Sequence, residues 1–225
     1  MPYLRDLAIV LKKDAFRERD RRYTLFGRGH GLIVAVARGG SMPASKQAGH
    51  LEPFCLAEVM VAKGSVFDKL CVAAMAEDPV GRARNLAAFA ACGAVAELLV
   101  ALLRPGLADA PVFHLLHECV ATAAALPPDA SAARTRLFAA AASLKILDRL
   151  GYAPPLRPPP GGEEGPALAL ARFLRRTPLV DALRVTAPSA VIHAACDSIE
   201  AAFETTPLER APKGSLLIRS AIRST

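Results

Sequence analysis

Tyr23-Thr24-Leu25-Phe26, then Gly27-Arg28-Gly29-His30-Gly31, then Leu32-Ile33-Val34-Ala35-Val36-Ala37 is the stretch that decides the fold. Two short runs of β-prone apolar residues bracket a loop of glycines alternating with Arg28 and His30. The glycines supply the positive φ angles that a tight reversal demands, so the stretch predicts a β-hairpin. A phosphate-cradling loop would need a strand running into a helix, and here a second strand follows.

Working outward, similar short runs recur at Leu7–Leu11, Phe54–Val61 and Val66–Val72, separated by Gly-bearing turns. Residues 1–79 therefore predict five strands, an all-β head that suits an oligonucleotide-binding (OB) barrel. An SH3-like barrel would give a similar pattern. From residue 80 the chain turns helical: 21 of the 71 residues from 80 to 150 are Ala, the best helix former. Breaks at Arg104-Pro105-Gly106 and Pro127-Pro128 predict helices at about 81–103, 110–125 and 130–150. A Pro/Gly-rich loop at 153–166 follows, then helices at about 166–185 and 188–204. The expected class is α+β, with an OB-fold domain at 1–79 and a mostly helical domain at 80–225.

Charge is uneven along the 225 residues. Residues 1–51 carry ten basic and four acidic side chains, residues 52–164 ten and twelve, and residues 165–225 eight and five. A basic head on a near-neutral body points to a polyanionic partner for the head. The 52% hydrophobic content excludes a disordered chain. The start has no signal-peptide form, and Leu86–Leu103, with Glu97 as its single charge, reads as a buried bundle helix rather than a membrane span. Cys55, Cys71, Cys92, Cys119 and Cys196 form no CxxC pair, so neither a disulfide scaffold nor a zinc ribbon is expected. A cytoplasmic location follows.

Several segments resemble one family. Glu18-Arg19-Asp20-Arg21-Arg22-Tyr23-Thr24-Leu25-Phe26, the run Gly31–Gly39 and Leu51-Glu52-Pro53-Phe54-Cys55-Leu56-Ala57-Glu58-Val59 are similar to the head of the bacterial recombination mediator RecO. Ala96-Glu97-Leu98-Leu99-Val100, Phe113-His114-Leu115-Leu116 and Leu147-Asp148-Arg149-Leu150-Gly151-Tyr152-Ala153-Pro154 recur in that family's order, and Pro212-Lys213-Gly214-Ser215-Leu216-Leu217 resembles its closing segment. The resemblance implies a bacterial, nucleoid-associated, non-enzymatic protein without a cofactor, acting in recombinational repair of DNA damage. It would bind single- and double-stranded DNA, anneal complementary strands, engage the C-terminal tail of single-strand-binding protein, and with RecR help load RecA. A protein-interaction adaptor with an OB-like barrel and no significant DNA binding is the alternative.

The sequence departs from the family in three places. No cysteine follows the Gly-Tyr-Ala-Pro step, so no zinc is expected. The loop after Ala37 carries only Arg38 and Lys46 as basic residues. Ala141, Ala142 and Ser143 stand where the family commonly has an Arg-Phe-Glu-like step whose Arg is the candidate anchor for the partner tail. Lys145, four residues after Ala141, is the expected substitute on the same helix face, with Arg134 and Arg136 further back. Tail binding weaker than the family norm is expected.

The expected DNA-binding set is Lys12, Lys13, Arg17, Arg19, Arg21, Arg22, Arg28, Arg38 and Lys46, spread over the end of the first strand and three loops. Phe26, Phe54 and Phe67 sit in apolar alternation and are expected in the core, leaving Phe16 and Tyr23 as stacking candidates. His114-Leu115-Leu116-His117-Glu118-Cys119 has the look of a metal site, but its spacing does not match a metalloprotease. No nucleophile motif recommends an enzyme.

Overall fold

The computed structural model describes residues 2–42, 45, 47–83, 85–152, 155–158 and 164–204. Five strands form a closed barrel in the order β1-β2-β3-β5-β4. They are β1 (Tyr3–Phe16), β2 (Asp20–Gly27), β3 (Gly31–Ala37), β4 (Leu56–Ala62) and β5 (Asp68–Glu77). All neighbours are antiparallel except β3 and β5, whose parallel pairing of Ala35 with Asp68 and Val36 with Lys69 closes the barrel. This is the OB fold that the strand count predicts.

The hairpin is in place: Gly27 pairs with Gly31 across the turn, and Gly31 has a φ of 65°. Its tip is clasped by Asp6, whose carboxylate accepts from the Gly29 and His30 amides at 2.9–3.1 Å and lies 3.0 Å from His30 Nδ1. A Cβ at Gly27 would run into that carboxylate.

Strand β1 is longer than the apolar run that predicts it, because the register shifts between Val10 and Lys12. The bulge admits one extra residue and changes the phase of alternation, so Lys13 and Ala15 take up the face of Val10. Phe54 lies before β4 rather than in it, at a φ of 71°. The barrel interior holds Leu4, Val10, Tyr23, Leu25, Ile33 and Val61, among others.

The helices are α1 (Pro79–Ala83), α2 (Leu86–Leu102), α3 (Ala110–Ala123), α4 (Ala132–Arg149), α5 (Pro166–Arg176), α6 (Leu179–Ala182) and α7 (Ser189–Glu204). Two expected helices are each broken in two. Asn85 interrupts the first: its Oδ1 accepts from the Ala87 and Ala88 amides and caps α2, while its Nδ2 donates to the Leu126 carbonyl. Pro178 interrupts the other, since it cannot continue the α5 hydrogen-bond ladder. Ser131 caps α4 by accepting from the Arg134 amide.

The chain divides into two compact units, Met1–Arg84 with Leu102–His117, and Asn85–Ala101 with Glu118–Thr225. In the first, Phe113 of α3 packs on Phe26 at 6.1 Å between ring centroids, which buries a residue on the outer face of β2. In the second, α4 is the central element, buried from Leu137 to Leu144. Among the described residues no helix is long and apolar enough to cross a membrane.

Candidate nucleic-acid interface

The loop after β3 is built onto the β1–β2 turn. The Gly39 amide donates to Asp20 Oδ1 at 2.9 Å, and the Ser41 amide to the Arg19 carbonyl at 3.1 Å. Gly40 is hemmed by the Ala37 carbonyl and the Arg21 Cβ, which holds the loop close to β2. These contacts bring the backbones that carry Arg17, Arg19, Arg21 and Arg38 to one end of the barrel.

The nine expected basic residues have different fates. Asp14 draws in both Lys12, at 3.0 Å, and Arg22, at 3.4 Å, so two of them share one carboxylate. Lys13 pairs with Glu52 at 2.7 Å. Among the described residues Arg17, Arg19, Arg21, Arg28 and Arg38 form no ion pair. Arg28 stands apart on the β2–β3 turn: it comes seven positions after Arg21 along the strand, about 23 Å of rise. Lys46 lies outside the described residues.

The aromatic expectations divide. Phe26 and Phe54 are buried as expected, Phe26 under Phe113 on the outer face of β2 and Phe54 in the segment before β4. Phe67 is not a core residue: it lies in the β4–β5 loop, half-buried, with its ring edge-on to Phe16 at 5.8 Å. The Arg17 guanidinium rests over both rings, 5.3 Å from Phe16 and 5.5 Å from Phe67. Tyr23 does not face solvent at all. It is 0% exposed inside the barrel, and its hydroxyl has no hydrogen-bond partner among the described residues. Burial, reinforced by Glu52, raises its pKa above the ordinary tyrosine value.

On the helical side, Arg136 is 12% exposed and occupied, with Nε on Glu200 at 2.9 Å and a terminal nitrogen on Asp197 at 2.6 Å. Lys145 donates to the Arg175 carbonyl at 3.2 Å, capping the last turn of α5, and its half-buried position lowers its pKa. Arg134 makes no side-chain ion pair among the described residues. Ala141 is fully buried, so its position faces the interior of the helical unit.

The His114–Cys119 segment separates chemically. His117 Nε2 pairs with Glu77 at 3.1 Å, and burial pushes the Cys119 thiol well up. Among the described residues no three His, Cys, Asp or Glu side chains are grouped to hold a metal.

Residues 1–77 match the family model of the recombination protein O N-terminal domain. The chain is 31% identical over 149 residues to the DNA repair protein RecO of Desulforudis audaxviator, covering 66% of this chain and 57% of that protein. It is 30% identical over 149 residues to that of Pelotomaculum thermopropionicum, covering 66% of this chain and 56% of the relative. For Bifidobacterium animalis subsp. lactis the figures are 35% over 114 residues, 48% of each protein. The chain thus spans about half the length of the curated relatives it matches. Residues 1–77 thus form a RecO N-terminal domain, folded as a closed OB barrel, and the chain is similar to RecO proteins beyond it.

Proposed function

We propose that this chain is a non-enzymatic recombination mediator in DNA repair that binds single- and double-stranded DNA through one end of its barrel. The observation that carries the reading is the set of cations left without counter-charges there among the described residues. Arg17, Arg19, Arg21 and Arg38 sit on the β1–β2 and post-β3 segments, which Ser41 and Asp20 tie together. The neighbouring Lys12, Lys13 and Arg22 are already engaged by Asp14 and Glu52. Unpaired arginines on paired loops suit phosphates, which they recognise without regard to base sequence.

A binder of this kind, holding two strands by their backbones, promotes annealing. The family resemblance adds the C-terminal tail of single-strand-binding protein, RecR and, through them, RecA as partners. On the helical unit, Arg134 is the residue of the expected three with a free guanidinium among the described residues, and Lys145 is the one nearest the position of the family Arg. Annealing of complementary oligonucleotides, followed by fluorescence energy transfer with and without the protein, tests the activity. Acceleration that fades with salt is expected. An annealing rate unchanged by the protein would favour the adaptor.

A further inference from the structure

Two loops of the barrel meet through three side chains that the basic-patch reading does not explain. Phe16, at the end of β1, and Phe67, in the β4–β5 loop, contact edge to face at an interplanar angle of 69°. The guanidinium of Arg17 lies over both rings. Arg17 reaches this place from a left-handed backbone, at a φ of 57°, a conformation that residues other than glycine adopt rarely. Ordinary packing would bury both rings. Here the rings are half-buried, the arginine is exposed, and Val66 beside Phe67 is 86% exposed.

A guanidinium desolvated by rings on one side offers a flat, cationic π surface on the other. Such a surface suits a nucleobase, whose face stacks on the plane while the adjoining phosphate meets the positive charge. Bases inside a duplex have both faces covered by their neighbours, so an exposed platform of this size takes an unpaired base. We propose that Phe16, Arg17 and Phe67 form a stacking platform for one unpaired base of single-stranded DNA and so give this chain a preference for single strands over duplex. The proposal rests on the DNA-binding reading above.

The 225-residue chain is titrated with a single-stranded oligonucleotide carrying 2-aminopurine and, separately, with a blunt duplex of the same sequence. Arg17→Lys keeps the charge and removes the plane; a Phe16→Leu/Phe67→Leu double variant keeps the apolar volume and removes the rings. The expected result is a change in 2-aminopurine emission on binding to the unmodified chain. Arg17→Lys should weaken single-strand binding about tenfold and duplex binding by clearly less, because the charge stays while the plane is lost. Equal single-strand affinities for the unmodified chain and both variants would overturn the platform, as would an equal loss on single strand and duplex, which would make Arg17 a plain phosphate contact. If the double variant does not fold, Arg17→Lys alone decides. If the unmodified chain binds neither DNA, the DNA-binding reading itself fails and the platform falls with it.

Discussion

The Ser41 amide donates to the Arg19 carbonyl at 3.1 Å, so the segment that carries Arg38 is held on the turn that carries Arg17 and Arg19. This bond makes separate basic residues into one surface. Replacing Arg17, Arg19, Arg21 and Arg22 together with Ala should weaken DNA binding across all sequences and make the salt dependence shallower, because phosphate contacts carry no base information. Within the set, Arg22 should matter least, since Asp14 already holds it. A folded quadruple variant with unchanged affinity in an anisotropy titration would remove these residues from the interface.

Lys13→Ala should change DNA affinity little, because its ammonium is engaged by Glu52 at 2.7 Å. Arg19→Ala with Arg38→Ala should lower the slope of log affinity against log salt by about 1.4, the release of two counterions from a single strand. Parallel titrations of the two variants over a salt series separate the cases.

Asp6→Ala should destabilise the barrel. Its side chain is 5% exposed and accepts from the Leu7, Gly29 and His30 amides, so its loss breaks the charge-assisted bonds that hold the hairpin tip to β1. The expected cost is about 2–4 kcal/mol, read as a fall in the urea midpoint. Gly27→Ala should cost stability too, since its methyl group meets the same carboxylate.

The hairpin and the strand count were legible because glycines mark the turns and β-prone residues fill the runs between them. The far half of β1 was not. A bulge between Val10 and Lys12 breaks the alternation, and Lys12, Lys13 and Asp14 then read as loop although they pair with β2. Phe67 was assigned to the core because Val66–Val72 reads as one apolar run, whereas the turn at Gly64 and Ser65 extends past it. Tyr23 could have been placed correctly from the register of Leu25 two residues on, which shares its face inside the barrel. The pairing of Lys13 with Glu52, 39 residues away, is tertiary, and no local pattern announces it. Asn85 was hidden within an Ala-rich stretch whose propensity runs through it.

Stability should fall as the solution becomes alkaline. Burial raises the thiols of Cys55, Cys92 and Cys196 to about 12, and raises Cys119 and Tyr23 as well. The unfolded chain loses these protons from about pH 9 for thiols and about pH 10 for tyrosine, while the folded chain retains them. Their contribution is therefore complete below pH 9 and lost as pH rises toward 12, at about 1.4 kcal/mol per pH unit for each group titrating only in the unfolded state. Urea midpoints at pH 7.5 and pH 10 check the sign: a higher midpoint at pH 10 would contradict it.

Thiol reagents should discriminate among the cysteines of the native chain. Cys55, Cys92, Cys119 and Cys196 are buried, whereas Cys71 is partly exposed. One fast equivalent at Cys71 is expected with an aromatic disulfide reagent at neutral pH, abolished by Cys71→Ser. Rapid modification of all five cysteines in folded protein would contradict the burial.

Lys145→Glu places a carboxylate beside the Arg175 carbonyl and removes the cap from α5. It should lower stability and weaken binding of the acidic tail of single-strand-binding protein. A peptide titration of both proteins, with folding checked by circular dichroism, measures it. Equal affinities would put the anchor elsewhere.

DNA binding by this end of the barrel is read in one titration: fluorescence anisotropy of a labelled single-stranded oligonucleotide against the 225-residue chain at 50 mM and 150 mM salt. Four phosphates neutralised by Arg17, Arg19, Arg21 and Arg38 give a slope of about −2.8, so saturable binding should weaken about 20-fold between the two conditions. No saturable binding at either salt, or an affinity indifferent to salt, would contradict the claim that this end of the barrel is a nucleic-acid interface.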